Sequence, residues 1–247
     1  MSDTQHTPTV VFVHGAFAES SSWNGVIDRL LADGTVAMAL ANPLRGVATD
    51  AAYLNALVAS IPGPVVLVGH SYGGMVISDV TAPNAAALVY VAAFAPEVGE
   101  SALDLSNRFP GSTLGGTLTP PVALPDGGAD LYIQTEKFHN QFAADVPAGE
   151  AARMAATQRP ITTAALSEVA TAPAWKRLPS WFVYGEQDRN IPAAAHAFMA
   201  GRAGAEATTA VPGASHVVMI SHPAAVADLV SQAVAAVAGA RSAAAAD

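Results

Sequence analysis

Apolar positions along this chain fall into two repeating patterns. Thr9–Val13 (TVVFV), Val36–Leu40 and residues 65–68 (VVLV) are short, nearly continuous runs of β-branched and apolar residues bounded by Gly, Pro or polar segments, and each reads as a buried strand. Residues 86–94 (AALVYVAAF), residues 181–184 (WFVY) and a weaker run at 205–211 extend the series. Between them the apolar positions switch to helical spacing. Trp23, Val26, Ile27, Leu30 and Leu31 follow the capping hydroxyls of Ser20, Ser21 and Ser22 and stop at Gly34. Residues 50–61 carry Tyr53, Leu54, Leu57 and Val58 on one helical face. Strands this uniformly apolar, alternating with helices, predict an α/β fold with a mostly parallel sheet covered on both faces.

The alternation fails between residues 95 and 178. Pro and Gly are dense from 96 to 128, and residues 129–143, 148–157 and 162–170 then read as helices. So long an insertion in a sheet fold predicts a helical cap over 96–178, with the core formed by 1–95 and 179–247; an irregular surface excursion is the plainer alternative. Phe109, Leu131, Phe138 and Phe142 line a pocket in the first case and fill the insertion's own core in either. The alanine-rich stretch after Val234 reads as the end of the last helix followed by a frayed tail.

Composition narrows the partners. Hydrophobic residues make up 51% of the 247 and charged ones 13%, so a large core under a sparsely charged surface is expected. A net charge of -9 without any Lys/Arg cluster argues against nucleic acid or an anionic membrane. With no cysteine, disulfides, thiolate catalysis and cysteine-held metals are excluded. Residues 1–8 are polar and lack the pattern of a signal peptide, and every long apolar run is interrupted, so a cytoplasmic protein without a membrane partner is expected. The oligomeric state is left open, a homodimer being one option.

The chemistry concentrates in residues 63–77, GPVVLVGHSYGGMVI, which read as strand, sharp turn and helix. Gly69-x-Ser71-x-Gly73 is the spacing of a nucleophile elbow, where a Cβ at either flank would collide and the serine hydroxyl is pushed out at the tip. A helix starting at Tyr72 directs free amides toward the same point. Serine needs a base and the base an orienting acid. His216, in the loop GASHV after the last strand, is the leading base; His222 is a rival, His14 and His70 flank the site in structural positions, and His6, His139 and His196 have no supporting context. Asp188, three residues beyond Gly185, is the leading acid, with Glu186, Glu97 and Asp104 as alternatives. The order serine, acid, histidine is that of hydrolases built on such a sheet. An oxyanion hole needs two amides: Tyr72 supplies one, and Ala16, in the His14-Gly15-Ala16-Phe17 loop, the other, with Phe17 as its replacement. Phe17, Phe138, Phe142 and Val217 are the expected substrate-binding side chains, and no motif for a metal, nucleotide or flavin is present.

The segments HGAFAESSSW, GHSYGG, YGEQD and GASH resemble the α/β-hydrolase superfamily, most closely its small esterase and hydroxynitrile-lyase branch, from Thr9 to about Val237. The resemblance implies Ser71, Asp188 and His216 as a catalytic triad, Ala16 and Tyr72 as oxyanion donors, and no cofactor. Similar lyases carry a lysine after the catalytic histidine and a threonine in the oxyanion loop; Val217 and Ala16 here speak against cyanohydrin cleavage. Ser71 likewise excludes the aspartate nucleophile of dehalogenase-like relatives. The expectation is a serine hydrolase of small, mostly apolar esters or lactones. A cofactor-free perhydrolase or haloperoxidase-like enzyme using the same triad, and a non-catalytic ligand receptor on this scaffold, are the alternatives.

Overall fold

The computed structural model describes residues 7–125 and 127–244, so His6 and the extreme C-terminus lie outside the described residues. The strands are β1 (Thr9–Val13), β2 (Val36–Leu40), β3 (Val65–His70), β4 (Ala85–Val91), β5 (Val122–Ala123), β6 (Ala129–Leu131), β7 (Ile161–Thr162), β8 (Ser180–Gly185) and β9 (Ala207–Val211). The helices are α1 (Asn24–Ala32), α2 (Val47–Ser60), α3 (Gly73–Ser78), α4 (Ala102–Arg108), α5 (Thr135–Phe142), α6 (Ala148–Thr157), α7 (Thr163–Ser167), α8 (Ala193–Ala203), α9 (Val218–Ser221) and α10 (Pro223–Ala244). Six parallel strands form one sheet in the order β2-β1-β3-β4-β8-β9. Its central strands β1, β3 and β8 are buried along their whole length, which is why they are apolar without alternation; the edge strands β2 and β9 alternate. This is the α/β-hydrolase fold.

Helices α1 and α10 pack on each other, and α10 lies along β3, β4 and β8; α2 packs on α3, which contacts β1, β3 and β4, while α8 covers β8. Among the described residues 223–240 of α10 are long and apolar enough to cross a membrane by length and composition. Val226, Leu229, Val230 and Ala233 are nevertheless buried in the core of this molecule.

Several boundaries differ from those read in the sequence. The strand expected over 86–94 ends at Val91, because Ala92 turns to φ 44°. Helix α2 begins three residues before Asp50, since the Glu168 carboxylate, more than a hundred residues away, accepts from the Val47 and Ala48 amides. The helix expected over 129–143 divides: residues 129–131 become β6, the centre of a small antiparallel sheet β5-β6-β7, and only α5 is helical. The cause is tertiary, as Asp130 accepts from the Arg45 guanidinium at 2.7 Å and pairs in register with Thr162. The helix expected over 162–170 shortens to α7, capped by the Thr162 hydroxyl. Inside the Pro- and Gly-rich stretch, Ser101 and Asp104 form a capping box that starts α4.

The insertion between β4 and β8 is fastened to the sheet by polar contacts. Arg45 also donates to the Pro160 carbonyl, and Arg202 of α8 donates to Ala95 O at 2.7 Å and pairs with Glu100; within the insertion, Trp175 Nε1 donates to Pro96 O.

Where α3 leaves the sheet, a Cβ at Gly74 would lie 2.1 Å from the Phe94 carbonyl oxygen, a backbone atom that cannot step aside. Gly74→Ala is expected to cost about 3 kcal/mol as an overpacking substitution, lowering the melting temperature by on the order of 6 to 12 °C. Calorimetry of the two proteins checks this; equal melting temperatures would refute so tight a contact.

Candidate active site

Strand β3 delivers Ser71 at φ 53°, in the left-handed region that non-glycine residues adopt only under constraint. The constraint is visible. Cβ atoms at Gly69 and Gly73 would lie 2.7 Å from the Gly73 carbonyl and 2.3 Å from the Val13 carbonyl, so both flanks must be glycine. The Ser71 carbonyl accepts from the Gly74 and Phe94 amides, and the Tyr72 hydroxyl donates to buried Asp50 at 3.1 Å, pinning the turn to α2. Burial raises the Asp50 carboxyl despite hydrogen bonds from Arg45 and Tyr72, and it raises the Tyr72 phenol as well.

The loop after β1 lies against this turn. A Cβ at Gly15 would meet the Ser71 Cβ at 2.6 Å. His14 organises the loop: the Asn42 amide donates to its Nε2 at 3.1 Å, leaving Nδ1 to donate to Gly15 O, while the Asn42 side chain donates to His14 O. Burial pushes the His14 ring down to about 4, so it is a neutral structural group. The Phe17 amide is taken by the Arg159 carbonyl at 2.8 Å and is thereby removed as an alternative donor. Among the described residues neither the Ala16 nor the Tyr72 amide has a partner.

The other half of the site follows β8 and β9. A Cβ at Gly185 would lie 2.2 Å from Ala214 O, so the loops carrying Asp188 and His216 touch through their backbones. His216 Nδ1 donates to Asp188 Oδ2 at 2.7 Å, both side chains being buried. Asp188 Oδ1 accepts from the Asn190 and Ile191 amides at 2.8 and 2.9 Å, and Oδ2 takes a second donor, His196 Nε2, at 3.1 Å. Burial alone would raise this carboxyl, but the His216 charge and the bonds from His196 and His216 outweigh it and hold it well below the usual carboxylate range. His70 Nε2 donates to His216 O at 3.2 Å, and burial keeps the His70 ring neutral.

Ser71, Tyr72, Ala16, Phe17, Phe142 and His216 open on one cavity of about 140 Å³. The remaining wall comes from the insertion, chiefly Leu103, Leu114, Leu118 and Leu166, with Asn190 and Ile191 from the Asp188 loop. Two expected lining residues are displaced. Phe138 is fully buried behind Phe142, ring centroids 5.0 Å apart, and Val217 is fully buried in the core; neither lines the cavity. Phe109 packs on Phe198 and Leu131 belongs to the small antiparallel sheet. The rival acids are engaged elsewhere: Glu97 with Lys176, Asp104 as a helix cap, while Glu186 is exposed. His222 faces Ser221 and Asp145, and His139 bonds to the Val146 carbonyl. The sequence reading missed His196, eight residues beyond Asp188, and the insertion's leucines; leucine carries no chemical signal, and the one turn of chain between Asp188 and α8 is not visible in spacing.

The arrangement is that of a hydrolase: an elbow serine, a carboxylate-backed imidazole and two free amides around one cavity. A family model described as "Alpha/beta hydrolase family" matches residues 10–229, and the chain belongs to that family. Polyneuridine aldehyde esterase superposes with a TM-score of 0.77 over 90% of this chain and 97% of its own, at 18% identity. A methylesterase from Arabidopsis gives 0.72 (92% and 99%, 18% identity), and a pyrethroid hydrolase from Sphingobium faniae 0.71 (93% and 98%, 18% identity). A carbendazim-hydrolysing esterase from Nocardioides sp. is 57% identical over 44 residues, which span 17% of this chain and 18% of that esterase.

The depressed Asp188 carboxyl links stability to pH. A group whose folded pKa lies below its unfolded value, here near 3.8, stabilises the fold above that value and loses its contribution as pH falls toward the folded one. The unfolding free energy of Asp188→Asn should therefore lie below that of the parent by a constant margin above about pH 5 and converge on it as pH drops below 4. Urea titrations across this range check the sign; a gap that widens in acid would contradict it.

Proposed function

We propose that this chain is a serine hydrolase of carboxylic esters. The observation that carries the reading is the 2.7 Å bond that His216 Nδ1 donates to Asp188, which fixes the tautomer that leaves Nε2 as a base, on a ring sharing its cavity with Ser71. His216 takes the Ser71 proton as Oγ bonds to the ester carbonyl carbon, and the resulting oxyanion is received by the Ala16 and Tyr72 amides. Collapse breaks the carbon–oxygen bond, and His216 returns the proton to the departing alcohol. Water repeats the sequence on the acyl-enzyme and releases the acid.

The substrate is a small, mostly apolar ester or lactone. Beyond His216 the cavity wall carries no ionisable acid or base other than the Tyr72 phenol, whose hydroxyl is bound to Asp50, so nothing there compensates a charged substrate. A cavity of about 140 Å³ suits a short or medium acyl group, since about 150 Å³ of apolar space holds one benzene ring. Residues 96–178 serve as the cap, because their leucines and Phe142 supply much of the wall. The similar proteins support this chemistry: they are polyneuridine aldehyde esterase, a methylesterase, a pyrethroid hydrolase and an esterase that hydrolyses carbendazim. Ala16 and Val217 stand where similar lyases carry threonine and lysine, which favours hydrolysis over cyanohydrin cleavage.

Release of p-nitrophenol from a series of acyl esters tests the reading. Short and medium chains should turn over faster than long ones, and Ser71→Ala and His216→Ala should each lower kcat by on the order of a million-fold, because the residues act as a unit. A parent inert on every ester, or a Ser71→Ala variant that keeps its rate, would sink it.

A further inference from the structure

Asp188 receives more than a catalytic carboxylate needs to orient one imidazole. Its two oxygens accept four N–H donors, and the pair at Oδ2 consists of two histidine side chains, His216 at 2.7 Å and His196 at 3.1 Å. Both rings are almost wholly buried, and Oδ1 is occupied by the Asn190 and Ile191 amides. His196 is held by α8 and stacks on Tyr184 of β8, ring centroids 4.8 Å apart at 17° between planes. The donor therefore approaches from a fixed direction.

We propose that His196 is a positioning residue for the ester hydrolysis assigned above: from α8 it clamps the Asp188 carboxylate and shares Oδ2 with His216, setting both the orientation and the base strength of the catalytic ring. The inference rests on the hydrolase reading of Ser71 and His216. Two donors on one oxygen divide its negative charge, so each bond is weaker than it would be alone, and the carboxylate cannot turn without breaking both. Removing His196 should have two separable effects. The carboxylate gains freedom to rotate, which lowers kcat. Its charge is then given to His216 alone, which stabilises the imidazolium and moves the acid limb of the pH profile upward. The groups facing the pair are few. His70 from β3 lies 4.7 Å from the His216 ring and is neutral, Phe142 of α5 is apolar, and Tyr184 stacks on His196. His70 and Phe142 pack on the His216 ring, and phenylalanine at 196 keeps a ring on Tyr184, so these surroundings are retained in His196→Phe.

The test compares the pH dependence of kcat/KM on p-nitrophenyl acetate for the parent, His196→Phe and His196→Gln, with Ser71→Ala as the control for the hydrolase reading. Phenylalanine keeps the ring on Tyr184 but removes the N–H; glutamine restores a donor at similar reach. His196→Phe should shift the acid limb upward by about one pH unit and lower kcat by on the order of ten- to a hundredfold, and His196→Gln should return the limb to the parent position. An acid limb that stays in place in His196→Phe, at unchanged melting temperature, overturns the proposal and leaves His196 a packing residue. If His196→Phe does not fold, His196→Asn, one methylene too short to reach, takes its place, and equal profiles for Asn and Gln overturn it. The low-field proton resonance of His216 Nδ1–H gives a readout independent of turnover. It should move downfield in His196→Phe and return in His196→Gln even if the parent proves inert on esters; an unmoved resonance overturns the role of His196, whereas parent inactivity with a moved resonance overturns only the hydrolase reading.

Discussion

Everything at the carboxyl edge of the sheet depends on backbone approaching backbone with no side chain between. Gly15 lies against the His70 carbonyl, Gly73 against the Val13 carbonyl, Gly74 against the Phe94 carbonyl and Gly185 against the Ala214 carbonyl, at separations where a Cβ would require the main chain to move. Segments at the ends of five strands, β1, β3, β4, β8 and β9, are drawn together this way. Because the contacts are between main-chain atoms, they leave little rotameric freedom, and the side chains carried on these loops are held in a fixed relation. The positive φ of Ser71 follows from the same crowding: the serine is held in an uncommon conformation because its neighbours allow no other.

Within that frame, electrostatics assigns the roles. Burying a carboxylate is expensive unless its oxygens are bonded, and Asp188 meets that condition with four donors. The neighbouring histidines separate by environment. His14 and His70 are pushed toward neutrality by burial and serve as fixed hydrogen-bond donors that hold the loop after β1 and the His216 loop in place. His216 has the carboxylate at its back and the cavity in front. Of three imidazoles close to one serine, burial thus neutralises two, and the third lies between a carboxylate and the cavity.

The insertion shares one continuous apolar core with the sheet, and charged and polar groups tie the two together at defined points. Arg45 ties the loop before α2 to Asp130 and Pro160, Glu168 caps α2, and Arg202 reaches from α8 to Ala95 and Glu100. These contacts hold the leucines of the insertion over Ser71. The wall of the cavity is thus supplied largely by the part of the chain least constrained by the sheet, and Ser71 and His216 by the part most constrained by it.

Much of this was legible from residues close together in the chain. The strands Thr9–Val13 and Val36–Leu40 and the helix over 148–157 emerge with the boundaries their patterns predict, and the glycine spacing around Ser71 marks the turn, because β-branched runs, helical periodicity and a missing Cβ act over a few residues. Asp188 and His216 were legible from their place just after strands. Contacts between distant segments were decided only by the tertiary structure. The Arg159 carbonyl took up the Phe17 amide, Arg45 and Thr162 turned the start of an expected helix into a strand, Phe142 came to stand between Phe138 and the cavity, and His196 reached the same oxygen as His216. In each case the deciding partner is brought in by the path of the chain. Local pattern states what a segment can form, and the free energy of satisfying a buried donor or acceptor with whatever lies across the fold settles which form it takes.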